Sequence, residues 1–125
     1  MGINEITGKI ISSAMKVHST LGPGLLESAY ETCLLHELRK DELRVYSQKV
    51  LPVHYDGAVI DAGYRIDLMV EDSVIVELKA VDKVLPIHTA QLLSYLKLSK
   101  VKVGLLINFN VVHLKNGIKR IANDL

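Results

Sequence analysis

Residues 64–80 hold two apolar alternating runs, Tyr64-Arg65-Ile66-Asp67-Leu68-Met69-Val70 and Val74-Ile75-Val76-Glu77-Leu78-Lys79-Ala80, joined by Glu71-Asp72-Ser73. No other stretch narrows the fold so far. Alternation with a period of two predicts two strands, and the short polar link predicts a hairpin turn. With 71–73 as the loop, Val70 pairs with Val74, so Asp67 falls opposite Glu77 and Arg65 opposite Lys79. Glu77 and Lys79 project from the same face. Two carboxylates facing each other on apolar strands repel and destabilise the sheet. A divalent cation between them removes the conflict, with the Lys79 ammonium beside it.

The flanking segments supply the rest of an architecture. Residues 4–20 read as a helix with Asn4 as N-cap and an apolar stripe of Ile6, Ile10, Ala14 and Val17. Gly22-Pro23-Gly24 ends it, and a second helix runs from about Leu25 to Lys40, with Leu26, Tyr30, Leu34 and Leu38 on one stripe. Val45 to Tyr55 reads as a strand that Pro52 marks as an edge, bulge or break. Asp56-Gly57 is a turn signal, and Ala58 to Val70 returns as the next strand, with an interruption expected at Gly63. Pro86 opens a helix to about Leu98, and Val101 to Phe109 is apolar on both faces, as an interior strand requires. Val111 to Leu114 and Ile118 to Ile121 suggest one more hairpin around Asn116-Gly117. The order predicts a single α/β domain over residues 1–125, with a mixed central sheet flanked by helices.

Composition excludes several classes. The formal net charge is only +1, so any polyanion must be gripped by a local basic patch or a metal. Cys33 is the single cysteine, which rules out an intrachain disulfide and points to a reducing compartment. No signal-peptide pattern and no run of roughly 20 apolar residues is present, so the expectation is a soluble cytoplasmic protein with no membrane partner. Aromatics are sparse, with Phe109 and five tyrosines, which argues against base-stacking platforms.

An acidic residue on one strand followed by Glu-x-Lys on the next, in an α-β-β-β-α-β order, resembles the PD-(D/E)XK nuclease superfamily, whose core is restriction-endonuclease-like. More closely, Gly24-Leu25-Leu26-Glu27-Ser28-Ala29-Tyr30 resembles the signature of the GxxExxY protein family, which is placed in that superfamily. Further segments of the resemblance are Ile75 to Ala80, Ala90 to Leu96 and Gly104 to Phe109, so it covers nearly the whole chain. Ile66 stands where the superfamily name carries proline.

The resemblance implies a Mg²⁺-dependent, or Mn²⁺-dependent, domain that hydrolyses phosphodiester bonds of DNA or RNA. Asp67 and Glu77 then bind metal, with the Leu78 backbone carbonyl and Glu27 completing its surroundings, and Lys79 assists the attacking water. Gln91 and Tyr95 match a Gln-x-x-x-Tyr element that some branches place beside the metal, and both join the site list. His88 lies on the same helical stripe and, like His18, is a candidate for phosphate or metal. Arg65, Lys49, Lys83 and Lys97 are candidate phosphate contacts, with Arg65 favoured by alternation. Glu31 is a weaker candidate than Glu27, reading as site or solvent-facing, Tyr30 equally as core or site, and Cys33 as apolar filler. A homodimer fits an enzyme that must act on two strands. Two other readings stand beside this one. The first is a catalytically inactive module that keeps the fold to bind a protein or nucleic acid. The second is a metal-dependent hydrolase of a small phosphorylated molecule.

Overall fold

The computed structural model describes residues 1–123. Helices α1 (Ile3–Leu21) and α2 (Glu27–Lys40) precede the strands β1 (Val45–Val50), β2 (Val53–Tyr55), β3 (Ala58–Ile60), β4 (Arg65–Val70) and β5 (Val74–Lys79). Helix α3 (Pro86–Ser99) then crosses to β6 (Val103–Asn108), and a 3₁₀ turn (Leu114–Gly117) leads into β7 (Ile118–Ala122). The main sheet has five strands in the order β1-β4-β5-β6-β7. β5 and β6 run parallel and the other neighbours antiparallel, which is the mixed sheet expected of a meander followed by a helical crossover.

Period-two alternation on β5 sorts its side chains to two cores. Val74, Val76 and Leu78 join the α1–α2 layer, together with the Ile6, Ile10, Ala14 and Val17 stripe and with Tyr30, Leu34 and Leu38. Ile75 joins Leu92, Tyr95, Leu96 and Leu106 under α3. Each fully buried aliphatic side chain contributes roughly 1.5–3 kcal/mol, so these two layers carry the stability. β6 is buried along its whole length, as its two-sided apolar pattern requires.

Several boundaries differ from the sequence expectations, each for a local reason. Helix α1 starts at Ile3 with Gly2 as N-cap, while the Asn4 carbonyl accepts a bond from the Thr7 hydroxyl. Helix α2 begins at Glu27, because Leu26 is extended and serves as its N-cap. Pro52 and Gly63 break the long strands, so β2 and β3 form a separate two-stranded arm projecting from the β1–β4 pair. The expected tail hairpin around Asn116-Gly117 does not form. β7 pairs with β6 instead, and a Cβ at residue 117 would overlap the Asn108 carbonyl oxygen. That glycine answers a close backbone approach rather than a hairpin turn.

Candidate active site

The β4–β5 hairpin has the register that its three-residue loop predicts, with Val70↔Val74, Met69↔Ile75 and Leu68↔Val76. The ladder stops there, one step short of Asp67 and Glu77. Carboxylates take over where backbone carbonyls leave off. The Asp67 amide donates to Glu77 Oε2 at 2.8 Å, and the Leu78 amide donates to Asp67 Oδ2 at 2.9 Å. Each acid thus satisfies an amide of the opposite strand, which holds both head groups in the gap between them. Arg65 does not reach Lys79. It pairs with Val50 of β1, and its guanidinium donates to Asp61 and to the Tyr64 carbonyl.

Glu77 is 5% exposed and Asp67 half-buried, so the gap is largely screened from water. Burial, reinforced by the Asp67 charge, pushes the Glu77 carboxyl from 4.5 up to about 8, although the Asp67 amide and Lys79 pull the other way. Lys79 is half-buried on the next same-face position and makes no ion pair among the described residues. Its ammonium acts through the field, lowering both Glu77 and Glu27.

Helix α2 supplies two more acids from its first turns. Burial raises Glu27; Lys79 opposes that, while Asp67 and Glu31 add to it. Burial also raises Glu31, opposed by its bond from Gln48 and increased by Asp67. Glu27 owes its placement to the loop before it. Gly22 and Gly24 both adopt positive φ, at 68° and 96°, so the chain turns where other residues would be strained. Tyr30, fully buried, donates to the Gly22 carbonyl at 2.6 Å and accepts from the Leu25 amide at 3.1 Å. Its ring stacks on Phe109 at 4.5 Å. Of the Gly-x-x-Glu-x-x-Tyr residues, Gly24 and Tyr30 therefore shape the loop and Glu27 faces the acids.

The α3 candidates separate. Tyr95 is buried beside the site, where desolvation, then the charges of Glu77, Tyr64 and Asp67, raise its hydroxyl; its ring meets Tyr64 edge-on at 6.0 Å. Gln91 is exposed one turn earlier on the same helical face. The His88 ring nitrogen accepts the Leu85 amide at 3.0 Å and so caps the helix. His18 bonds the Val111 carbonyl at 2.8 Å and belongs to the α1 packing. The Leu78 side chain is in the core, and its amide is committed to Asp67.

Gln48, which the sequence did not single out, joins this constellation together with Glu31. The Gln48 side-chain amide donates to both Glu31 oxygens, at 2.8 and 3.0 Å, and to Asp67 Oδ1 at 3.2 Å. Gln48 lies opposite Asp67 in the β1–β4 pair, at a φ of 52°, a left-handed value that costs of order 1–3 kcal/mol for a residue with a Cβ. Glu31, the weaker of the two α2 candidates, is half-buried and completes this bridge. The i, i+4 spacing from Glu27 was its only sequence signal.

Four carboxyl groups and one ammonium therefore share this corner. Hard oxygen donors with excess negative charge match a divalent cation such as Mg²⁺. Among the described residues no three His, Cys, Asp or Glu side chains converge as a finished ligand set. Asp67 and Glu77 are the two acids held across the strand gap, with Glu27 and Glu31 beside them on α2.

A family model for the PD-(D/E)XK nuclease superfamily matches residues 4–121, and the chain belongs to that superfamily. Its mixed sheet flanked by helices is consistent with the restriction-endonuclease-like fold. No curated protein and no solved structure matches the chain. No helix among the described residues is long and apolar enough to cross a membrane.

Proposed function

We propose that the chain is a single-domain, Mg²⁺-dependent phosphodiesterase that hydrolyses nucleic acid, with Mn²⁺ able to replace Mg²⁺. The observation that carries this reading is the pair of carboxylates held across the β4–β5 gap, with Lys79 beside them. Asp67 and Glu77 would hold the ion, with Glu27 and the Leu78 carbonyl as further donors. When bound, a divalent cation supplies Lewis-acid activation at a phosphoryl oxygen. Lys79 then stabilises charge developing on the phosphate or orients the water. Gln48 keeps Asp67 and Glu31 in place, the Tyr95 hydroxyl borders Glu77, and Gln91 offers an exposed amide to the substrate. The motif Gly24, Glu27 and Tyr30 supports membership of the GxxExxY family. A homodimer would present two such sites to a duplex, and the single cysteine suits the cytoplasm.

Calorimetric titration with Mg²⁺ tests the reading. Binding is expected in the unmodified protein and is weakened at least about tenfold by Asp67→Asn or by Glu77→Gln, each removing a charged donor. An absence of heat at millimolar Mg²⁺ refutes it. Cleavage of DNA or RNA that survives Lys79→Ala undiminished would assign the activity elsewhere. One observation favours the second reading, an inactive binding module: the lack of a finished three-residue ligand set among the described residues. That module would bind nucleic acid without Mg²⁺-dependent cleavage.

A further inference from the structure

Charge is segregated along this chain. Residues 1–82 hold eight basic and thirteen acidic side chains, whereas residues 83–125 hold seven basic and one acidic, Asp124. Every ion pair among the described residues lies in the first part: Lys9–Asp41, Lys16 and Lys40 with Glu37, Arg44–Asp72, and Arg65–Asp61. Lys83, Lys97, Lys100, Lys102, Lys115, Lys119 and Arg120 make no ion pair among the described residues. A face of exposed, unneutralised lysines is the footprint of a polyanion-binding surface.

That surface includes a groove of about 780 Å³ between the crossover loop 82–86, the start of α3 and the β6–β7 end, lined by Lys83, Thr89, Asn108, Asn116 and Lys119. Asp82 is the one acid on its rim, and the Asn110 amide donates to its carboxylate. The walls are tied together. Asn108, 3% exposed, accepts from the Val81 and Asn110 amides and donates to the Val81 carbonyl, while Gly117 abuts its backbone oxygen. The groove is therefore preformed rather than gathered by a ligand.

Register fixes where it lies relative to the acids. Glu77 pairs with Leu106 and Leu106 with Lys119, so these three stand in one row on one face of β5, β6 and β7. Lys79 and Asn108 form the next rung. Two strand spacings put Lys119 about 10 Å from Glu77 at the backbone. A helical nucleic-acid strand advances about 3.4 Å per phosphate, so that distance is only a few nucleotides.

We propose that this groove is the track for the sugar-phosphate backbone flanking the cleavage point, with Lys83 and Lys119 on its phosphates. The proposal rests on the nucleic-acid reading of the site. It is tested by fluorescence anisotropy in EDTA across a NaCl series. The probes are fluorescein-labelled single-stranded DNA, duplex DNA and single-stranded RNA, with labelled poly-glutamate as a polyanion lacking phosphate. A Lys83→Ala/Lys119→Ala variant is expected to bind at least one nucleic-acid probe about tenfold more weakly or worse, with its salt slope reduced by roughly two. The control is Lys100→Ala/Lys102→Ala, from a separate lysine cleft at the opposite end of β6. It loses the same charge and is expected to leave affinity and slope near those of the unmodified protein. Equal loss in both variants reduces the effect to net charge and overturns the track. Unchanged binding by the groove variant, no binding of any nucleic-acid probe, or equal groove-dependent binding of poly-glutamate also overturns it. Groove-dependent binding without any Mg²⁺ heat would keep the track and reject hydrolysis, which separates the two failures.

Discussion

Replacing Glu77 by glutamine should make the metal-free protein more stable at alkaline pH. The glutamine oxygen can still accept the Asp67 amide that Glu77 Oε2 now accepts at 2.8 Å, so geometry is preserved while the ionisation is removed. The Glu77 carboxyl titrates near 8 in the fold against 4.5 ordinarily, so the native state binds its proton more tightly than the unfolded chain does. Stability therefore falls as pH rises from about 4.5 to about 8 and levels off above. At 1.36 kcal/mol per pH unit, this single group removes about 3 kcal/mol by neutral pH and somewhat under 5 kcal/mol at pH 9. The glutamine variant lacks that slope. Urea unfolding in EDTA at pH 5, 7 and 9 should show the variant gaining on the unmodified protein by about 4 kcal/mol across the series. The difference isolates Glu77, because Glu27, Glu31 and Tyr95 titrate in both proteins. A pH-independent difference would refute the argument that burial and Asp67 together suppress its ionisation.

Three further outcomes are expected. Asp67→Ala should be about 1–3 kcal/mol less stable than Asp67→Asn in urea, because alanine leaves the Leu78 amide without the acceptor it now has at 2.9 Å. Equal stabilities would show that water replaces the carboxylate at no cost. Tyr30→Phe should lose about 1–3 kcal/mol by unpairing the Gly22 carbonyl and Leu25 amide, and should weaken Mg²⁺ binding only through disorder of Glu27. Gly117→Ala should cost about 2 kcal/mol or more in thermal unfolding, since its Cβ meets the rigid Asn108 carbonyl; an unchanged midpoint would contradict the close approach.

The hairpin carrying Asp67, Glu77 and Lys79 was legible because its signals are local: two alternating runs and a loop whose length sets the register. The α1 stripe and the two-sided burial of β6 were legible for the same reason. Gln48 was not. Its position opposite Asp67 depends on β1 and β4 meeting again after the excursion 51–64, which the Leu51 amide closes on the Tyr64 carbonyl. No local pattern announces a strand residue at positive φ. The tail failed differently, since Asn116-Gly117 carries a hairpin signal that a close approach to Asn108 requires equally. Tyr95 sat on a polar stripe by periodicity yet is 6% exposed, because its ring packs in the core under α3 with Ile75 and Leu106 and meets Tyr64 edge-on. A net charge of +1 hides the basic C-terminal third, which appears only when acids and bases are counted by segment.

The ladder gap joins these points energetically. Regular pairing beyond Leu68↔Val76 would satisfy the Asp67 and Leu78 amides with backbone carbonyls instead of carboxylates. The chain instead places carboxylates there and accepts a positive φ at Gln48, together with an unfavourable ionisation at Glu77. Such strain against stability is the pattern of a site built for a ligand. If the ligand is a divalent cation, binding must displace the proton that Glu77 retains at neutral pH. Its affinity should then climb with pH until Glu77 ionises near 8 and flatten above. In Glu77→Gln that climb should disappear along with most of the affinity. Calorimetry with Mg²⁺ at pH 6 to 9 in buffers of different ionisation enthalpy would count the protons released. Release of none at pH 7 would separate Glu77 from the metal.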